Sequence, residues 1–298
     1  MKNNYLLFKI FNLMDILRRI FPNYHFNSLF HKLIMKWLRN NFKELIEKYN
    51  EDNDDNDDIN DKMHHNEKVW VMWWQGIDNA PEVVKLCYKQ LKKEFSNVTL
   101  ITKDNFKDYL DLEPYVLKKF DDGFIGMPCF SDIMRVNLLY KYGGVWIDST
   151  CFIHNLDKRI LSDNVIFTPK GKDFFNYKYV PSGKWRGFFL KANKNDKVMG
   201  FLKSFFNEYW LKENYMVNFF LIDYIFEIAY QDNIGDFRTI INNIPKNNDK
   251  LYELDKLMVE DKDIDINEIK ENSIFKLNWK HKYSQKELKS LRNYVYDG

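Results

Sequence analysis

The sequence predicts an α/β fold: a mostly parallel central sheet with helices added around it. Three observations carry that expectation. Val69-Trp70-Val71-Met72-Trp73-Trp74 is a short apolar run that ends in Gln75-Gly76, the pattern of a buried strand entering a turn. A helical stripe (Val83, Val84, Cys87, Leu91, Phe95) follows, opened by Ala80-Pro81-Glu82, and a second strand, Val98-Thr99-Leu100-Ile101, comes after it. Further on, a helical stretch stops at Gly143-Gly144 and runs straight into Val145-Trp146-Ile147-Asp148. Strands alternating with helices in this order build parallel sheets by crossover connections. Ligands of such sheets collect at the carboxyl ends of the strands, which makes the turn after Trp74 a candidate site wall.

Taken from the start, residues 1–50 read as helices. Leu6, Ile10, Leu13, Ile16, Leu17 and Ile20 fall at spacings of three and four, and Pro22-Asn23 interrupts the pattern. A second run carries Phe30, Leu33, Ile34, Trp37, Leu38, Phe42 and Leu45. The segment holds nine Lys/Arg against three acids, a net charge of +6. A basic amphipathic segment of this kind either lies in an anionic lipid interface or packs on the following domain. Residues 51–67 begin with EDNDDNDDIND, seven acids in eleven residues, which repels itself and reads as a solvated linker. It lacks the turn glycine and closing glutamate of a calcium loop. The remaining 68–298 form the α/β domain. Within it Asp104 or Asn105 caps a short helical segment holding Phe106, Tyr109 and Leu110, and Phe205, Tyr209, Phe219, Tyr224 and Phe226 read as helical core. Asp223 stands out as a polar residue in that apolar stretch, costly to bury unless paired.

The chemistry concentrates in Ser131–Thr150, SDIMRVNLLYKYGGVWIDST. Ser131 is a good helix N-cap, and Asp132 and Arg135, three apart, share a helical face. The first glycine suits a left-handed helix stop. Asp148 then sits at the carboxyl end of a strand, where an α/β sheet would present a carboxylate to a diphosphate. Helix, Gly-Gly, strand and Asp, with Ser-Asp-x-x-Arg in the helix, resemble the DxD sugar-binding region of retaining glycosyltransferases. The nearest pattern is that of the capsular polysaccharide synthesis and Och1-like family, with a more distant likeness to the large clostridial toxin glucosyltransferases. Trp73-Trp74-Gln75-Gly76 with Ala80-Pro81 resembles that family's first strand and turn, and Lys276-Leu277-Asn278-Trp279-Lys280-His281-Lys282 resembles its segment closing over the diphosphate. The likeness spans about residues 68–285 and is strongest over 128–151.

That resemblance implies a GT-A-like nucleotide-sugar-binding fold, a UDP-sugar donor and Mn²⁺ or Mg²⁺. It implies that Asp132 and Arg135 meet the donor sugar, that Asp148 holds ribose or metal, and that Trp146 shapes the pocket. Trp73, Trp74, Gln75, Gly76 and Ser131 would border the donor, and Asp223 would join them from a similar helix. The chain departs at the last position of DxD, where Thr150 replaces a carboxylate, the better ligand for a hard cation. A metal would then rest on Asp148 and Thr150 with Asn278 or His281. Chemically the residue types make sense: cations stabilise the departing diphosphate, and carboxylates near the ring orient its hydroxyls.

Whole-chain properties bound the alternatives. A net charge of +2, with no run mixing dense Lys/Arg and spaced aromatics, does not suggest a nucleic-acid partner. Cys87, Cys129 and Cys151 are odd in number and widely spaced, which reads as reduced buried thiols. No stretch approaches the roughly 20 apolar residues of a spanning helix, and no signal-peptide pattern opens the chain. A cytoplasmic enzyme, peripheral at the inner membrane face, is therefore expected, moving sugar to a polysaccharide or lipid-linked glycan. Three rivals stay open: transfer to a protein, donor binding without catalysis, and a scaffold that binds no donor.

Overall fold

The computed structural model describes residues 4–51, 68–162, 164–171, 175–262 and 273–297. The acidic linker therefore lies outside the described residues apart from Glu51. In chain order the regular elements are α1 (Tyr5–Ile20), α2 (Tyr24–Asn41), α3 (Lys43–Glu51), β1 (Val69–Met72), α4 (Glu82–Glu94), β2 (Val98–Ile101), α5 (Phe106–Tyr109), α6 (Pro114–Asp121) and α7 (Met127–Tyr142). Then follow β3 (Gly144–Ile147), β4 (Cys151–Ile153), α8 (Arg159–Ser162), β5 (Ile166–Phe167), β6 (Phe189–Ala192), α9 (Lys197–Lys212) and α10 (Leu221–Asp232). The chain ends with α11 (Phe237–Asn243), α12 (Glu253–Val259), β7 (Ile274–Lys276) and α13 (Gln285–Asp297).

The main sheet has the order β2-β1-β3-β6-β5. β1 runs parallel to both β2 and β3, while β6 lies antiparallel to β3 and β5. All four residues of β1 and of β3 are buried, as expected for central strands covered on both faces. The fold is thus mixed α/β with a parallel centre, as the sequence indicates. A second, two-stranded sheet pairs β4 with β7 antiparallel, bringing Cys151 opposite Lys276. That pairing joins positions 125 residues apart in sequence and is what completes the site.

The passage from α7 into β3 depends on two glycines. Gly143 (φ 68°, ψ −164°) and Gly144 (φ 99°) both lie at positive φ. A Cβ on Gly144 would fall 2.2 Å from the Lys68 carbonyl oxygen, so the strand can meet the start of β1 only as glycine. Gly143 ends the helix as expected, donating its N–H to the Leu139 carbonyl, although its ψ is far from the left-handed helical value. The N-terminus of α7 departs from expectation. The helix starts at Met127, with Pro128 in its first turn and Gly126 as N-cap, so Ser131 is an interior residue rather than a cap. Pro128, favoured in a first turn by its fixed φ, was the signal for the earlier start.

The amino-terminal helices share the main core. Phe30, Ile34, Leu38 and Phe42 are buried with Phe205 and Tyr209 of α9, and the Phe42 ring stacks on Tyr209 at 5.7 Å. In α1 the buried face is Phe8, Phe11, Asp15 and Arg18. The regular stripe Leu6, Ile10, Leu13, Ile16, Leu17 and Ile20 faces solvent instead, from 39% exposed at Leu17 to 70% at Leu6. Asp15 can be buried because Arg18 and Arg19 both pair with it. A second cluster joins α4, α12 and α13 to the small sheet through Val84, Cys87, Phe152, Leu254, Phe275, Leu291 and Val295.

Candidate active site

A cavity of about 650 Å³ opens at the carboxyl ends of β1 and β3. Its walls come from the turn after β1 (Trp73, Trp74, Gln75), from α7 (Ser131, Asp132, Arg135) and from the end of β3 (Trp146, Asp148). Asp223 on α10, Phe219 before it, and Lys276, Trp279 and Lys280 around β7 close the remaining sides. The parallel centre of the sheet accounts for this placement, because β1 and β3 deliver their ends to one edge.

Asp148 lies at the base of the cavity and is held from three directions. The indole Nε1 of Trp146 donates to its Oδ1 at 2.9 Å, and Arg135 Nη2 reaches the same oxygen at 3.2 Å. Lys276 Nζ stands 3.2 Å from Oδ2 and also donates to the Thr150 hydroxyl. Arg135 divides its charge, since its Nη1 donates to Asp132 Oδ1 at 2.7 Å, and the guanidinium lies 5.1 Å from the centre of the Trp146 ring. Asp223 finds the partner its burial requires, accepting a hydrogen bond from the Trp185 indole at 3.0 Å.

Protonation follows these pairings. Burial pushes Asp132 up to about 7, with Asp223 and Asp148 adding to the shift and Arg135 only partly opposing it. Burial likewise raises Asp223 to about 6. For Asp148, burial would raise the value, but the Lys276 ammonium and the Arg135 guanidinium together outweigh it and hold the carboxyl below its ordinary range. Lys276 is desolvated too, yet the Asp148 charge lifts it above the ordinary lysine value. The cavity floor is therefore an ionised Asp148 clamped between two cations, with two less acidic carboxyls on the α7–α10 side.

The tryptophans at the turn are both half-buried and both line the cavity. Trp74 packs among Phe106, Phe120 and Phe130, whereas Trp73 meets Trp279 edge-on at 5.8 Å. The indole nitrogen of Trp73 and Nε of Arg135 are buried without a hydrogen-bond partner.

Of the residues the sequence singles out, the structure brings together Trp73, Trp74, Gln75, Ser131, Asp132, Arg135, Trp146, Asp148, Thr150 and Asp223 around one cavity. Gly76 does not line it; its φ of 79° lets the chain turn beyond Gln75. Phe219, expected in a helical core, is 51% exposed at the cavity and precedes α10. Lys276, Trp279 and Lys280 join the site without having been singled out. The signal lay in the segment Lys276–Lys282, where Asn278 and His281 drew attention as oxygen and nitrogen ligands.

Those two residues are engaged elsewhere. Asn278 Nδ2 and His281 Nε2 face each other at 3.0 Å, His281 Nδ1 pairs with Asp255, and neither residue lines the cavity. Thr150 is bound by Lys276, leaving Asp148 as the one carboxylate of the expected ligand set. Among the described residues no group of three or more His, Cys, Asp or Glu is arranged to hold a metal ion. Asp148 and Thr150 therefore line the cavity without Asn278 and His281, so the four residues are not gathered as one ligand set.

The sheet thus presents a clamped carboxylate and facing aromatic rings at the ends of its parallel strands. The sequence model of the Capsular polysaccharide synthesis protein family matches residues 16–295, and the chain belongs to that family. Among solved structures the chain is similar to "PaToxG Glycosyltransferase" at 14% identity, with a TM-score of 0.36, over 89% of this chain and 97% of that one. Comparison with curated proteins finds no match.

Proposed function

We propose that the cavity binds a nucleoside diphosphate sugar, a UDP-hexose, and that the enzyme transfers the hexose with retention to a polysaccharide or lipid-linked glycan. The observation carrying this reading is Asp148 held between Arg135 and Lys276 beneath a wall of tryptophans. Two cations at the cavity floor suit a diphosphate. The Trp73–Trp279 wall offers ring faces for stacking a base. Asp132 and Asp223 on the opposite side have acceptor oxygens for sugar hydroxyls. Retention rests on the family resemblance.

The lipid-linked acceptor is favoured over a protein by the surface of α1. Its exposed stripe carries Lys9 and Arg19 beside the apolar residues, and α2 adds Leu29, Lys32, Leu33 and Lys36. The one acid of α1, Asp15, is buried and paired. An apolar helical face flanked by cations suits an anionic lipid surface. Aromatic contacts continue from Tyr5 to Tyr215 (4.9 Å) and on to Phe124 (6.0 Å), and Phe219 at the cavity lies four residues beyond Tyr215. Among the described residues no helix is long and apolar enough to cross a membrane.

Thermal unfolding with UDP, UDP-glucose, UDP-galactose and GDP-mannose tests the donor assignment. A ligand at 100 times its Kd stabilises the folded state by about 2.7 kcal/mol, a readily measured shift. The expected outcome is a UDP-selective shift that Asp148→Ala loses. A folded protein that responds to none of these nucleotides would leave the scaffold reading ahead. Binding without turnover on any glycan acceptor would favour a donor-binding protein.

A further inference from the structure

Thr150 stands where the resembling pattern has a second carboxylate, and the atom bonded to its hydroxyl is a lysine nitrogen. Lys276 reaches that point because β7 pairs with β4, which sets Lys276 opposite Cys151, while the Leu277 N–H donates to the Thr150 carbonyl at 2.9 Å. The ammonium lies 5.4 Å from the centre of the Phe188 ring, and Lys276 lines the cavity. Three carboxylates line the cavity, and each is committed: Asp132 to Arg135, Asp148 to Arg135 and Lys276, and Asp223 to Trp185.

We infer that the Lys276 ammonium, fixed by Asp148 and Thr150, is the built-in cation for the leaving diphosphate, and that donor binding needs no divalent metal. This rests on the donor reading above and deepens it. In the transfer, the bond between the sugar's anomeric carbon and the diphosphate oxygen breaks, and its electron pair stays with that oxygen. The acceptor hydroxyl oxygen bonds to the anomeric carbon, and its proton passes to the departing diphosphate. Negative charge on that oxygen is greatest before the proton arrives, and a fixed ammonium at the cavity floor stabilises it without being reorganised. Lysine suits the task because it is a compact point charge with three donors, two of them already directed by Asp148 and Thr150. In this arrangement Asp148 and Thr150 orient a cation, as a metal-binding pair would, but the cation is part of the chain.

The test measures UDP binding to the full-length protein, by thermal shift and calorimetry, in excess EDTA and in Mn²⁺ or Mg²⁺. The same affinity is expected in all three conditions. Lys276→Met should weaken UDP by roughly 10- to 100-fold, the loss of a charge-assisted contact, with Lys276→Arg recovering part of it. Because Lys276→Met leaves Asp148 buried beside one cation fewer, the Asp148→Asn/Lys276→Met double variant provides a neutral, folded comparison. It too should bind UDP weakly. UDP binding that EDTA abolishes and Mn²⁺ restores would overturn the inference while leaving the donor site intact. Wild-type affinity in the double variant would do the same. Failure of the wild type to bind UDP under every condition would overturn both.

Discussion

Arg135 serves two carboxylates, and that division sets the acid–base character of the cavity. Asp148 also has Lys276 and stays ionised, while Asp132, with only its share of Arg135 against burial, moves up to about 7. The sign follows from linkage. A carboxyl whose folded value is raised contributes stability that is fully present below its unfolded value of 3.8 and is lost as pH rises through about 7. Asp223 acts in the same direction up to about 6. The ligand-free protein should therefore lose part of its stability between weakly acidic and neutral pH. Asp132→Asn should flatten that decline, read as melting midpoints across the window; a variant with the wild-type slope would show that Asp132 is not the group responsible. Sequence spacing was enough to put Asp132 and Arg135 on one helix face and Asp148 at a strand end, and the family resemblance joined the three in one site. Lys276 was not legible in this way. Its role depends on a strand pairing between β4 and β7 that no local pattern announces.

At the scale of elements, α1 shows where periodicity misleads. The stripe at spacings of three and four is real, but the helix turns it outward and buries Phe8 and Phe11 with the Asp15–Arg18 pair. Phe8 and Phe11 with the satisfied Asp15–Arg18 pair take the inner face, and the six aliphatic side chains remain outside. The exposed stripe then becomes available to lipid. Flotation with vesicles of phosphatidylcholine and phosphatidylserine should capture the wild-type protein more strongly as the anionic fraction rises. Leu13→Asp/Ile16→Asp should reduce that binding by at least about 100-fold, given roughly 1.5–3 kcal/mol for each fully buried aliphatic side chain. Both positions are more than half exposed, so folding should be unaffected. Unchanged capture of the double variant would remove the lipid assignment and return the acceptor question to proteins.

For the molecule as a whole, the amino-terminal helices are not an appendage. Phe30, Ile34, Leu38 and Phe42 are at most 1% exposed, and they belong to the same core cluster as the buried residues of α9, α10 and the sheet. At about 1.5–3 kcal/mol each, these four alone account for roughly 6–12 kcal/mol, comparable with the total stability of a typical domain. A chain beginning at residue 68 should accordingly be insoluble or molten, as judged by loss of near-ultraviolet circular dichroism. A sharp cooperative melt of that fragment would contradict this. The α/β order of 68–150 was readable from strand and helix patterns alone. The antiparallel half of the sheet was not, because β5 is only two residues long and the pairing of β6 with β3 and β5 follows from long-range packing.

The three buried thiols give the protein its own set of internal clocks. Cys87 sits in the α4–α13 cluster, Cys129 in the first turns of α7, and Cys151 in β4, one residue past Thr150 and opposite Lys276. Burial pushes the Cys151 thiol up to about 12 and raises the other two further, so none reacts while its surroundings remain closed. Alkylation of each thiol thus times the opening of a different part of the molecule. The rate at Cys151 times the separation of β4 from β7, the seam on which the reaction centre is assembled.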